Sequence, residues 1–152
     1  MLQEAQNVDS KGFSIDRSRN ALRFERELQA PAGDVFDAWT DPSQIRLWWD
    51  PTGDPLRDCQ IDLREGGAFS FVTQAHSDRP FTGVYRQIDR PALLVFDAMG
   101  AEGRVELSEA EGKTAMIVEI ICRDEQHLEQ FVQMGAAEGT SQTLDNLVRY
   151  KG

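Results

Sequence analysis

Cysteine is scarce in this chain of 152 residues: only Cys59 and Cys122 occur, and they form no CxxC pair. This excludes a disulfide framework and a thiolate zinc site, and it points to a reducing compartment. Histidine is as rare. His76 and His127 lie far apart, and neither accompanies a Ser or Cys in a nucleophile motif. Basic residues are outnumbered by acidic ones, 16 to 26, for a formal charge of −10. Phosphate-bearing partners would be repelled, so neither nucleic acid nor an anionic membrane surface is expected as a partner. No apolar run approaches the roughly 20 residues that cross a bilayer. The opening MLQEAQNVDSKG has neither the basic n-region nor the apolar h-region of a signal peptide. Glycines in GAEGR do not form a phosphate loop. The expectation is a cytoplasmic protein with no cofactor, no metal and no catalytic residue identifiable by motif.

What is present suits one domain with a real core, since 40% of the residues are hydrophobic and eight are Phe. Residues 1–20 are polar and weakly patterned and read as a flexible tail, leaving 21–152 as a single domain. From Leu22 the pattern alternates, with Leu22, Phe24, Arg26 and Leu28 on one side, as in a half-buried strand. Pro31 suits the start of a helix, whose apolar face holds Val35, Phe36, Ala38 and Trp39. Pro42 to Trp49 reads as a second short helix. Turn-separated strands then run to Cys122, punctuated by Gly66-Gly67 and Glu111-Gly112, with no helix between them; this implies an antiparallel sheet. From Asp124, a plausible N-cap, to about Lys151 no proline occurs, and the length allows a helix of roughly seven turns. Gly135 and Gly139 weaken it by roughly 1 kcal/mol each relative to Ala, predicting a bend or a close approach. The fold class is therefore α+β. A curved antiparallel sheet around a long C-terminal helix leaves a hollow suited to a small molecule.

Five segments, in order and spacing, resemble one family: FERELQAPAGDVFDAWTDPSQIRLWW, DLREGGAFSF, FTGVYRQIDRPALLVF, GKTAMIVEI and MGAAEGTSQTLDNL. They are similar to the activator of heat-shock-protein-90 ATPase (Aha-type) homologues of the SRPBCC, or START-like, superfamily. The resemblance spans about residues 22–151. It implies the helix-grip fold and its cavity, and it transfers no reaction, because that scaffold hosts many functions. One departure stands out. The family usually carries Gly-Trp ahead of LxxL in the last helix, whereas here Gly139 is followed by Thr140. Losing that bulky side chain implies a larger or differently closed cavity.

Within this frame the adjacent Trp48 and Trp49 pose a question. Neighbours on a helix point about 100° apart, so one core cannot bury both rings alike. The reading is one anchor and one lid at the cavity mouth, against plain packing of both. Arg26 falls on the apolar face and needs an acceptor, with Asp62, Glu119 or Glu138 as partners. It is either a structural ion pair or an anchor for an acidic head group, and Glu138 is carried as a candidate site residue with it. Phe69, Phe71, Tyr85, Phe96, Met116, Val118 and Met134 are candidate cavity-lining side chains that would serve equally as core. The first functional reading is a binding protein for a hydrophobic or amphipathic small molecule. A co-chaperone-like protein-interaction domain is the alternative. An enzyme using Arg26, Tyr85 and a carboxylate comes third, and an exposed sheet edge would admit a homodimer.

Overall fold

A computed structural model describes residues 12–151 as eight strands and four helices. A short hairpin, β1 (Ser14–Asp16) and β2 (Ala21–Leu28), comes first. Helices α1 (Ala32–Thr40) and α2 (Pro42–Ile45) follow. A meander then runs through β3 (Asp58–Ile61), β4 (Ala68–Val72), β5 (Phe81–Asp89), β6 (Leu93–Ala98), β7 (Ala101–Ala110) and β8 (Lys113–Ile121). Helices α3 (Glu125–Gln133) and α4 (Ala136–Lys151) come last. All strands form one curved antiparallel sheet in the order β1-β2-β8-β7-β6-β5-β4-β3. Because β2 and β3 lie toward opposite sides of the sheet, the segment containing α1 and α2 must carry the chain across it. The meander then brings it back to β2.

Strand alternation sets the inner face. In β2, Leu22, Phe24 and Leu28 are fully buried while Glu25 and Glu27 face water. In β8, Thr114, Met116 and Val118 point inward opposite them, Phe24 pairing with Val118 and Arg26 with Met116. Burying each large apolar side chain contributes about 1.5–3 kcal/mol. Glu111 and Gly112, both at positive φ, make the tight β7–β8 turn expected of that dipeptide.

Three expectations need correction. The segment read as a loose tail contains β1, and Phe13 beside it is 3% exposed against Phe24, with ring centroids 6.0 Å apart. The rest of that tail, residues 1–11, lies outside the described residues. The second short helix ends at Ile45 and continues as turns through Trp48, held by Leu47 N–H to Gln44 O (3.0 Å) and Trp48 N–H to Ile45 O (3.2 Å). The long terminal helix is two helices. Asp124 caps α3 by accepting from His127 N–H at 2.8 Å, as its residue type suggested. However, Gly135 adopts φ +81°, a left-handed conformation that stops α3 at Gln133 and restarts the chain as α4.

Candidate functional site

A cavity of about 260 Å³ lies between the sheet and the two terminal helices. The sheet wall carries Phe96, Ala98, Ala101, Gly103, Val118 and Ile120. Phe131, Ala136, Gly139, Thr140, Thr143 and Leu144 line the helix wall. Trp39, Trp49, Phe81, Pro51 and Met99 complete the enclosure, the last two exposed at the rim. Small side chains face each other across this space, and that is why it stays open. Gly103 lacks the Cβ that would overlap the Phe96 ring, so the ring lies flat over the strand. On the helix, a Cβ at Gly139 would meet only Pro51, at 3.9 Å, so nothing crowds that position.

The pair Trp48 and Trp49 divides as one anchor and one cavity wall. Pro42 has no N–H to donate to the Ala38 carbonyl at the end of α1. The Trp48 indole supplies the missing donor, Nε1–H to Ala38 O at 3.1 Å, and its ring packs edge-on to Trp39 with centroids 4.9 Å apart. Trp48 is 1% exposed. Trp49 turns instead toward Phe71 and Phe81, with centroids 5.0 and 5.2 Å away, and lines the cavity.

Helix α4 fixes this geometry. Thr143 Oγ1–H donates to Trp49 O at 2.8 Å, and Asn146 Nδ2–H donates to Asp50 O at 3.0 Å and Trp48 O at 3.4 Å. Residues three apart share one helix face, so both side chains reach the same loop. The Asn146 Oδ1 in turn accepts from Gln142 Nε2–H at 3.1 Å and from Arg149. At the opposite rim, His127 Nδ1 accepts from Arg123 N–H at 3.1 Å, so its Nε2–H donates to Met99 O at 3.2 Å. Sequence reasoning missed Thr143, Asn146 and His127 as positioning groups. Only the i, i+3 polar pair on an otherwise apolar helix face could have signalled the first two.

Arg26 does enter the inner face, but none of its expected partners holds it. Its Nε–H donates to Asp145 Oδ1 at 2.9 Å, and its terminal nitrogens donate to Gly12 O, Glu25 O and the backbone and hydroxyl oxygens of Ser141. The guanidinium is spent in tying β2 to α4, outside the cavity lining. Glu119 points to the convex face, where Arg19 Nη1–H and Nη2–H donate to it at 2.8 and 3.0 Å and Arg23 at 3.3 Å. Hydrogen bonding to Arg19 holds its carboxyl below the usual range against the opposing effect of burial. Asp62 lies exposed and pairs with Arg64 at 3.0 Å.

The other candidates separate as clearly. Phe96 and Val118 line the cavity. Phe69, Phe71 and Tyr85 surround a narrow extension of about 10 Å³, together with Trp39, Trp49, Phe81, Phe96, Ile45 and Leu94. Phe69 stacks on Phe71 at 5.0 Å and fills the space over Gly83. Met116 is core, 1% exposed. Met134 is corrected: it caps α3 at the helix break and is 60% exposed, away from the lining. Glu138 is exposed on the outer side of α4 and is likewise not part of the lining.

The lining offers few polar groups. The carboxylate of Glu119 is turned outward, and the Thr143 hydroxyl is engaged with Trp49. Among the described residues the fully enclosed indole N–H of Trp39 and the buried Oε1 of Gln44 have no hydrogen-bond partner, and Thr140 lines the cavity with a small polar side chain. Burial pushes the Tyr85 hydroxyl pKa well up, and the Cys59 thiol beside this end of the sheet up to about 11, chiefly by desolvation. Among the described residues no group of His, Cys, Asp and Glu is arranged to hold a metal ion. No helix is long and apolar enough to cross a membrane.

Comparison with known proteins agrees with this architecture. The family model described as Activator of Hsp90 ATPase homolog 1-like protein matches residues 29–152. A crystal structure of a protein from Nitrosomonas europaea superposes with TM-score 0.79 at 23% identity, covering 90% of this chain and 96% of that one. An AHSA1-like protein from Aeromonas hydrophila superposes at 0.67 with 25% identity, covering 84% and 90% of the two chains. CalU16 from Micromonospora echinospora superposes at 0.63 with 25% identity, covering 87% and 76%. No protein with a curated description matches at a significant level.

Proposed function

The chain belongs to the Activator of Hsp90 ATPase homolog 1-like family, and we propose that it is a binding protein for a small hydrophobic or amphipathic molecule. The observation that carries this reading is the cavity of about 260 Å³, walled almost wholly by apolar side chains. Its size is just below the 300–1,000 Å³ of drug-sized sites, which suits a compound of one or two rings. Binding would remove apolar ligand surface from water at roughly 25 cal/mol per Å². Turnover draws little support, since the one carboxylate near the lining faces outward and Tyr85 has no base bonded to it among the described residues. We place the protein in the cytoplasm, where Cys59 and Cys122 would remain free thiols.

The test is native mass spectrometry of freshly purified protein, with N-phenyl-1-naphthylamine fluorescence as the binding assay. Thr140→Trp puts an indole into the cavity from the helix wall. The wild type should carry a co-purified adduct or bind the dye stoichiometrically, and the variant should do neither while staying folded. A clean apo mass with no dye binding by the wild type would refute the reading.

A protein-interaction role is the second reading, favoured by Met99 and Met134, which are 52% and 60% exposed. Pull-down with wild type and Thr140→Trp separates the two: a partner retained by the filled variant is bound by the surface. The edge strands β1 and β3 could also pair with a second copy, which light scattering would detect.

A further inference from the structure

We propose that the cavity selects an uncharged ligand and rejects both carboxylates and ammonium ions of the same shape. This rests on the small-molecule reading above and specifies the charge state of what is bound.

Among the described residues no Lys or Arg lines the cavity, and the acidic residue that borders it, Glu119, turns its carboxylate to the convex face. There it accepts from Arg19 and Arg23, which are thereby engaged as well. Charges on the neighbouring elements are committed too. Arg26, the cation on the inner face of β2, donates to Asp145, to the Gly12, Glu25 and Ser141 carbonyls and to the Ser141 hydroxyl. Asp50, buried beside the rim residue Pro51, turns Oδ1 to the N–H and hydroxyl of Thr52. The hydroxyls left in the lining, Thr140 and Thr143, are neutral, and the second already donates to Trp49 O.

An ion entering this space sheds its hydration shell and meets no opposite charge, and the penalty for an unpaired buried charge far exceeds what a hydroxyl returns. A neutral polar group loses much less water and is served by one hydrogen bond. The mouth does not change the outcome, because its exposed lining residues, Pro51 and Met99, are apolar. One rival deserves a direct test. The exposed Arg123 lays its guanidinium where a Cβ on Gly100 would stand, one residue past Met99, although it lines no part of the cavity. A carboxylate held there with its apolar body inside would contradict the inference.

Displacement of N-phenyl-1-naphthylamine by three naphthalenes of like shape is the experiment: 2-naphthamide, 2-naphthoate and 2-naphthylmethylamine. The carboxylate is followed from pH 5.5 to 7 and the amine from pH 7 to 9. The amide, which does not titrate, is followed over both ranges and corrects for changes in the protein itself. At pH 7 the amide should bind at least about tenfold tighter than either ion. Relative to the amide, the apparent affinity of the carboxylate should fall about tenfold for each pH unit gained and that of the amine should rise about tenfold, because only the neutral fraction enters. Arg123→Gln should leave all three affinities unchanged, and Thr140→Trp should abolish them by filling the cavity. A carboxylate or amine affinity that stays level with pH, yet is lost in Thr140→Trp, would overturn the inference while the cavity reading stood. A level carboxylate affinity lost in Arg123→Gln would overturn it in favour of an acidic head group at the rim. Dye binding that none of the three displaces would also sink this inference alone. If the wild type binds neither dye nor probe, both readings fail together.

Discussion

Asn146→Ala tests whether α4 positions the cavity wall. Asn146 is 7% exposed and donates to Asp50 O at 3.0 Å and Trp48 O at 3.4 Å. The shorter contact is a full hydrogen bond, worth about 1 kcal/mol net, and the longer one about half that. Truncation also strands two carbonyls in a place where Trp48 and Asp50 are buried, adding to the loss. The sum is about 2 kcal/mol, which for a chain of this size corresponds to a fall in Tm of about 4–8 °C. Thr143→Val removes only the 2.8 Å bond to Trp49 O, beside a half-buried ring, and should cost about 1 kcal/mol. Because both residues hold the loop 48–50, the double variant should depart from additivity by at least about 0.5 kcal/mol. Urea unfolding followed by tryptophan fluorescence measures all three, and dye binding at low temperature reports whether Trp49 has moved. Asn146→Ala within about 0.5 kcal/mol of wild type, with unaltered dye affinity, would sink the idea that this pair positions Trp49.

Other expectations follow from single sites. Trp48→Phe should cost about 2 kcal/mol, because it leaves the Ala38 carbonyl without a donor that Pro42 cannot replace, whereas Trp49→Phe should affect stability less and dye binding more. Thermal melts and dye titration of the two variants check the contrast, and equal effects on both readouts would contradict it. Gly103→Ala drives a methyl into the Phe96 ring, so it should cost about 1–3 kcal/mol and weaken dye binding as that ring is pushed into the cavity. Glu119 has a folded-state pKa below its ordinary 4.5, owing first to the Arg19 hydrogen bond. Its stabilising contribution is therefore complete above about pH 4.5 and is lost as pH falls through the lower folded value. Glu119→Gln should flatten the acid limb of stability against pH, and an unchanged slope below pH 4.5 would refute this.

Much of the fold follows from local pattern. Period-two alternation is visible in Leu22 to Leu28 because one face of that strand is buried and the other wet, whereas Thr114 to Ile121 declares itself as a strand by its apolar, β-branched run. Glu111-Gly112 declares its turn by residue type. Long-range pairings are another matter. Arg26 on the inner face announces a buried guanidinium, yet its partner Asp145 lies 119 residues away and was not among the three carboxylates, Asp62, Glu119 and Glu138, that the sequence suggested. The helix break was half legible: Gly135 and Gly139 look alike in sequence, but only Gly135 takes a left-handed φ, while Gly139 stays helical and merely leaves room.

The cavity itself shows why a site of this kind resists reading from sequence. Large aromatic residues mark positions that face inward, and Phe69, Phe71 and Tyr85 do face inward, but a ring that reaches the core fills space rather than leaving it. What holds the hollow open is Ala98, Ala101 and Gly103 on the sheet opposite Ala136, Gly139 and Thr140 on the helices. In a strand or helix pattern such residues register as weak hydrophobic signals or as none. Their meaning comes from facing one another, which depends on the register of β6 with β7 and on where α3 yields to α4. Thr140 is the exception: the resemblance implies a Trp at that position, and against that expectation a small residue shows as a vacancy. Volume is a property of pairs of surfaces, and a single chain displays it only where a large side chain is expected and a small one stands.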